Sequence, residues 1–178
     1  MNILVLTGSP RRHGNSNYLA DRFVQGAEER GHSVVRFNCT TLHLRDCLAC
    51  NHCGMNGDCA LHDDFDLVRP HLLEADLVVF ATPTYYFGFS GYLKIIIDRF
   101  YAINGRLRGS GKKTALLVAC ADGDPTIFEP LLQHYRAIAR YLGWQDIGTV
   151  TACGVWEEGA VINSPYSDAA YRLGQSLS

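Results

Sequence analysis

The sequence predicts an α/β protein built on a doubly wound, five-stranded parallel sheet, and three observations carry that prediction. Short β-branched runs alternate with helical patterns along the whole chain, as in successive βαβ units. The run Leu77-Val78-Val79-Phe80 is continuously apolar, as expected of a central strand covered on both faces. With 178 residues, of which 47% are hydrophobic and 19% charged, the chain can bury a core without disulfide or metal staples. One domain over residues 1–178 is the expectation.

The elements follow in order. Asn2–Leu6 is the first strand. Asn15–Arg30 is a helix: Leu19, Phe23 and Ala27 repeat every four residues, Ser16 offers a cap and Gly31 a stop. Val34–Phe37 is the second strand and Asp76–Ala81 the third. Gly91–Phe100 reads as a helix and Lys113–Ala119 as the fourth strand. Pro130–Leu142 is a helix with Pro at its first position and Gly143 just past its end. Ile147–Thr151 is the fifth strand and Ser167–Leu177 a closing helix. This succession fits the flavodoxin-like strand order 2-1-3-4-5. The one irregularity is the long connection Asn38–Ala75, a cysteine-rich insertion between strands 2 and 3 with a short helix capped by Asp63 or Asp64. Such connections are usually functional. In open α/β sheets ligands sit beyond the carboxyl ends of the strands at the switch point, here after strands one and three.

Composition excludes several classes. Sixteen Lys+Arg stand against eighteen Asp+Glu, a net charge of -2, so neither disorder nor a nucleic-acid-sized basic surplus is supported. The longest apolar runs, Leu77–Ala81 and Ala115–Cys120, fall far short of the roughly 18 residues of a membrane span. Met1–Leu6 lacks the basic start of a signal peptide. The expectation is a cytoplasmic chain with no nucleic-acid or membrane partner.

The strand ends carry the chemistry. After strand one the chain reads Thr7-Gly8-Ser9-Pro10-Arg11-Arg12-His13-Gly14-Asn15-Ser16-Asn17 and opens into a helix. Hydroxyls, glycines, arginine and a helix N-terminus together make an anion cradle suited to a phosphorylated ligand. Neither the Walker spacing nor Gly-x-Gly-x-x-Gly is present, and no cysteine stands in the loop to act as a phosphatase nucleophile. After strand three, Pro83-Thr84-Tyr85-Tyr86-Phe87-Gly88-Phe89 packs four aromatics between Pro and Ser90-Gly91, which suits stacking on a flat heteroaromatic ring or burial against a second subunit. A third loop, Ala121–Pro125, follows strand four and offers a wall to the same pocket.

These motifs resemble a family. Gly-Ser-Pro-Arg-x-x-Gly-Asn-Ser over 8–16, Cys-x2-Cys-x2-Cys-x5-Cys over 47–59 followed by Asp63-Asp64, and Pro-Thr-Tyr-Tyr-Phe-Gly with Leu93-Lys94 and Asp98-Arg99 look like the NADPH-dependent FMN reductase and iron-sulfur flavoprotein group. The resemblance implies FMN, its phosphate on Ser9, Arg11, Asn15, Ser16 and Asn17 and its ring against Pro83, Thr84, Tyr85, Tyr86, Phe87 and Gly88. Arg12 and His13 match variable positions. NAD(P)H is the implied donor, a flavin, quinone, aromatic or protein the implied acceptor, and a homodimer or homotetramer the implied assembly.

Of seven cysteines, Cys47, Cys50, Cys53 and Cys59 fall within thirteen residues. A soft four-thiolate set favours zinc or an iron-sulfur cluster. The two successive x2 spacings resemble a ferredoxin start, but the fourth cysteine comes six positions on and no proline follows it. The resemblance to iron-sulfur flavoproteins implies a 4Fe-4S cluster; His52 and His62 keep zinc open, and free thiols are the third reading. Cys39 and Cys153 are scattered, and Cys120 reads as a small buried hydrophobe. The expected function is an FMN-dependent oxidoreductase. The alternatives are an electron-transfer protein working through FMN and a 4Fe-4S cluster, and a zinc-stabilised nucleotide-binding module without turnover.

Overall fold

The computed structural model describes residues 1–178. Strands β1 (Asn2–Thr7), β2 (Ser33–Asn38), β3 (Leu77–Pro83), β4 (Lys113–Ala119) and β5 (Gln145–Ala152) form one sheet in the order β2-β1-β3-β4-β5. Every pairing is parallel, so the chain crosses over a face after each strand. The crossovers are α1 (Asn15–Glu29), α2 (Phe65–Glu74), α3 (Gly91–Arg99) with a 3-10 turn and the one-turn α4 (Asn104–Leu107), and α5 (Glu129–Leu142); α6 (Pro165–Gln175) follows β5. The predicted class and strand order hold. No helix is long and apolar enough to cross a membrane.

Alternation along the strands divides the core into two layers. Leu4, Leu6, Val78, Phe80, Leu116 and Val118 point to one face, beneath Phe65, Leu72, Leu93 and Tyr135 of α2, α3 and α5. Ile3, Val5, Val79, Ala81 and Leu117 point to the other, beneath Leu19, Phe23 and Ala27 of α1 and Ala170 of α6. Burial on both sides is why the central strands read as unbroken apolar runs. The helices α1 and α6 touch backbone to backbone. A Cβ at Gly26 would stand 2.3 Å from the Tyr171 carbonyl oxygen, and one at Gly174 would stand 2.2 Å from that of Phe23. Only glycine admits this approach.

Several boundaries differ from the sequence reading for local reasons. Strand pairing continues past the apolar runs, matching Thr7 with Asn38 and Pro83 with Ala119. The helix expected over Gly91–Phe100 tightens into a 3-10 turn at Phe100. The α5 helix begins at Glu129, so Pro130 is its second residue; its missing N–H is still among those with no helical acceptor. The closing helix starts at Pro165 and ends at Gln175, leaving Leu177 buried beyond it. Ser16 does not cap α1. The N-cap is Gly14, without a side-chain hydrogen bond, and Ser16 lies buried inside the first turn.

Between β2 and α2 the chain from Cys39 to Asp64 forms no strand or helix and carries Cys47, Cys50, Cys53 and Cys59. One side chain clasps it. Arg99, 1% exposed, bonds the Asp63 carboxylate at 2.7 Å, the Arg45 carbonyl at 2.9 Å and the Leu61 carbonyl at 3.3 Å, and lies over the Phe65 ring. Asp63 also accepts the N–H groups of Arg45 and Phe65, and Asp64 accepts that of His43. The two carboxylates expected at the start of α2 are there, and Asp63 takes its first N–H.

Candidate functional site

A cleft of about 140 Å³ opens at the carboxyl ends of β1, β3 and β4, at the switch point the winding predicts. Ser9, Arg11, Gly14, Asn15 and Ser16 form one wall, Pro83, Thr84 and Tyr85 the second, Ala119, Cys120 and Ala121 the floor, and Val155 and Trp156 the far side.

The first wall is a loop drawn in on itself. Three donors converge on the Arg11 carbonyl: Gly14 N–H at 3.0 Å, Asn17 Nδ2 at 2.9 Å and Ser9 Oγ at 3.4 Å. A Cβ at Gly14 would meet Ser9 Oγ at 2.6 Å and the Arg11 carbonyl oxygen at 3.1 Å, so a side chain there would push the Ser9 hydroxyl out of the closure. Because no side chain caps α1, its first-turn N–H groups and the positive end of its dipole remain available to an anion. The Arg11 guanidinium donates to the Trp156 carbonyl at 2.9 Å and stacks 5.0 Å over the Trp156 ring. That contact aims the cation and leaves its other donors free.

Two residues that line this cleft carry hydroxyls without partners. Ser16 Oγ and Thr84 Oγ1 are buried and unbonded, one on each wall. An unsatisfied buried hydroxyl costs on the order of 1–3 kcal/mol, which a polar ligand between the walls recovers. Asn17 Oδ1 is a third buried orphan beside them.

The aromatic segment forms a tight hairpin. Tyr85 and Gly88 exchange backbone hydrogen bonds at 3.2 and 3.1 Å, and Tyr86 and Phe87 both take left-handed conformations with φ of 45° and 64°. That is the backbone of a type I′ turn, normally given to Asn and Gly. Strained backbone at non-glycine residues concentrates at functional sites. Tyr86 is fully exposed at the tip. The hairpin base is fixed by Thr82 Oγ1, which accepts the Ser90 N–H at 3.1 Å.

Of the residues selected from the sequence, Ser9, Arg11, Asn15, Ser16, Pro83, Thr84 and Tyr85 meet in one cleft. Asn17 lies behind it, binding the Arg11 carbonyl, and Tyr86, Phe87 and Gly88 stand outside it in the hairpin. The Asn15 side chain is spent elsewhere: Nδ2 donates to the Val155 and Glu157 carbonyls, both at 2.9 Å, and Oδ1 accepts from Val161 N–H at 3.1 Å. It straps the loop after β5 against α1 and offers the cleft its backbone N–H. In the loop after β4, Ala121 reaches the cleft, whereas Asp124 accepts the Thr126 N–H and caps the turn Pro125–Phe128. Trp156, Val155 and Cys120 were not selected. The only hint was Trp156 itself, an exposed aromatic just past a strand end.

Cys47, Cys50, Cys53 and Cys59 line one small pocket with Leu48, Leu61, Tyr101 and Arg99. All are unbridged. No three Cys, His, Asp or Glu side chains gather around a single point that would hold one metal ion. The loop around the pocket places Ala49, Asn51, Gly54 and Met55 in left-handed backbone, and the Leu61 N–H points to Cys59 Sγ at 3.5 Å.

Topology and cleft together define the class: a flavodoxin-like α/β protein whose loop after β1 closes on an uncapped helix N-terminus. The family model for NADPH-dependent FMN reductase matches residues 1–157, and the chain belongs to that family. An iron-sulfur flavoprotein of Archaeoglobus fulgidus is 27% identical over 156 residues, 87% of this chain and 70% of that one. YwqN of Bacillus subtilis, named for an NAD(P)H-dependent FMN-containing oxidoreductase, is 29% identical over 165 residues, 86% of each chain. Against several other iron-sulfur flavoproteins the chain spans about half of their length. Among solved structures, an NAD(P)H:quinone oxidoreductase from Methanothermobacter marburgensis superposes with a TM-score of 0.78 at 17% identity, covering 98% of this chain and 94% of that one.

Proposed function

We propose that this chain is an FMN-dependent oxidoreductase that takes electrons from NAD(P)H and passes them to a flavin, quinone, aromatic or protein acceptor. The observation that carries the reading is the pair of unpartnered buried hydroxyls, Ser16 and Thr84, on opposite walls of a cleft that ends at an uncapped helix N-terminus. Ser9, Arg11 and Ser16, with the first-turn N–H groups of Asn15, Ser16 and Asn17, would hold the phosphate. Pro83, Thr84 and Tyr85 would bear on the ring, with Tyr86, Phe87 and Gly88 beside it. Bound FMN supplies the hydride-accepting chemistry, so the protein needs no acid or nucleophile of its own. Its residues bind, orient and shield. The exposed rings of Tyr86 and Phe87 support a homodimer or homotetramer in which a neighbour covers them. The reading also takes the chain as a single cytoplasmic FMN-binding domain.

The test is a fluorescence titration with FMN. Arg11→Ala and Ser9→Ala should weaken binding while the fold persists, and undiminished affinity in both overturns the assignment.

A second reading adds a 4Fe-4S cluster on Cys47, Cys50, Cys53 and Cys59, making the chain an electron-transfer protein. It is supported by the single pocket the four thiols share and by the left-handed backbone around it. Anaerobic reconstitution with iron and sulfide should give broad visible absorbance that Cys50→Ser or Cys53→Ser abolishes while FMN still binds. A wild type that takes up no iron leaves the two-electron reductase alone.

A further inference from the structure

Two cysteines far apart in the sequence meet in the wall of the cleft. The β4–β5 ladder pairs Ala119 with Ala152 and runs one step further, the Cys120 N–H reaching the Ala152 carbonyl at 2.9 Å. In a parallel ladder that bond sets Cys120 opposite Cys153. Neighbouring strands lie about 4.8 Å apart, inside the range of about 4.4–6.8 Å that disulfides span between Cα atoms. Directly opposed residues point to the same face, and both thiols pack on the same apolar layer. Just past the pair the ladder slips: Val155, not Gly154, donates to the Cys120 carbonyl, and Gly154 is left-handed at φ 70°. Cys153 therefore stands at a bulge, where the backbone can yield the small movement a bridge needs.

The surroundings of the two thiols differ. Cys120 Sγ is buried in the floor of the cleft and donates to the Asp122 carbonyl at 3.2 Å. Cys153 is half-buried, with Sγ 3.1 Å from the Tyr166 hydroxyl. Neither is bridged. Cys39 has no such neighbour, and burial pushes its thiol up to about 12.

We propose that Cys120 and Cys153 form a reversible dithiol–disulfide site in the cleft wall, oxidised by small-molecule disulfides and reduced by small-molecule thiols. Cys153, the more accessible, attacks first as its thiolate, with the Tyr166 hydroxyl donating to its sulfur. The Cys153–sulfur bond forms, the disulfide of the reagent breaks, and one thiolate leaves and takes a proton. Burial pushes the Cys120 thiol up, which suits it to the second step. Giving its proton to solvent, it attacks the Cys153 sulfur, closes the bridge and expels the second thiol. In sum the pair loses two electrons and two protons, and one disulfide becomes two thiols. A bridge draws Cys120 Sγ away from Asp122 and reshapes the cleft floor, yet the site stands whether or not the cleft holds a flavin.

Tryptic mapping of the full chain isolates this pair from the other thiols. Cleavage after Lys and Arg, except before Pro70, puts Cys120 in peptide 114–136, Cys153 in 141–172, the four loop cysteines together in 46–94 and Cys39 in 37–45. Native protein is equilibrated in a series of oxidised and reduced glutathione, trapped with iodoacetamide and digested. The expected result is a linked species of 114–136 with 141–172 that rises with the oxidised fraction and disappears on return to reduced glutathione. Cys153→Ser should abolish it, Cys120→Ser should stop at a Cys153–glutathione mixed disulfide, and Tyr166→Phe should slow the first step. Both peptides emerging alkylated across the whole series, or linking only in denaturant, overturns the proposal.

Discussion

Single polar atoms at the cleft divide into those bonded within the fold and those left without a partner. Ser16 Oγ makes no bond within the chain, so removing it relieves an unpaired buried group rather than breaking a contact. Ser16→Ala should keep or raise the thermal midpoint while weakening FMN about tenfold, equivalent to about 1.4 kcal/mol. Parallel melts and titrations read both, and a fall in stability with unchanged affinity reverses the assignment. Asn15 is the opposite case. Its amide makes three bonds to the loop after β5, the loop whose Trp156 carbonyl aims Arg11. Asn15→Ala should cost on the order of 1–3 kcal/mol of stability and weaken FMN as well, because the cation loses its seat. The sequence could not separate these neighbours: both are small polar residues at a helix start, and only the distant partners of Asn15 distinguish them.

At the scale of elements, the clasp between α3 and the cysteine-bearing connection replaces the ladder that the connection lacks. Removing one member of a buried ion pair leaves the other charged and unpaired, typically at a cost of about 3–5 kcal/mol. Arg99→Ala should lower the denaturant midpoint accordingly and expose the four loop thiols to alkylation. The same clasp predicts a pH dependence. Burial opposes the Asp63 charge, but the Arg99 guanidinium and the N–H groups of Arg45 and Phe65 prevail and hold the carboxyl below the usual carboxylate range. A depressed folded pKa contributes stability that is complete above the unfolded value near 3.9 and disappears as pH falls through the folded one. Denaturant midpoints measured from about pH 5 downward should therefore fall more steeply for wild type than for Asp63→Asn. The hairpin stores its energy differently. With Tyr86 and Phe87 both left-handed, replacing them by Asn and Gly should stabilise the fold by about 1–2 kcal/mol, which equilibrium unfolding measures. A destabilised double variant would mean that the exposed rings pack on something, such as a second subunit.

Across the whole molecule, what the sequence discloses is what repeats locally. Short β-branched and continuously apolar runs between stretches of four-residue helical spacing marked the five strands, and the doubly wound class they imply carried the strand order and the sheet end at the switch point. The loop after β1 was visible too, since its glycines, hydroxyls and arginine are contiguous. What stayed hidden depends on residues that meet only after folding: Trp156 under Arg11, Arg99 under the cysteine connection, Cys120 opposite Cys153. The contact of α1 with α6 belongs with these, for nothing marks Gly26 and Gly174 in advance as the two points where helix backbones touch. It also links stability to the cleft, because α1 carries the cleft-lining loop at its other end. Gly174→Ala drives a methyl into the Phe23 carbonyl, an overpacking that typically costs about 1–3 kcal/mol. The cleft itself is untouched, so the folded variant should still bind FMN. A ligand that binds only the folded state at a hundred times its Kd adds about 2.7 kcal/mol. Saturating FMN should therefore return the Gly174→Ala denaturant midpoint to about that of the FMN-free wild type, whereas Arg11→Ala at the same FMN concentration should gain much less. If FMN leaves the Gly174→Ala midpoint where it was, either the wedge has tilted α1 and opened the loop or the cleft is not where FMN binds; a titration of wild type alone then separates the two.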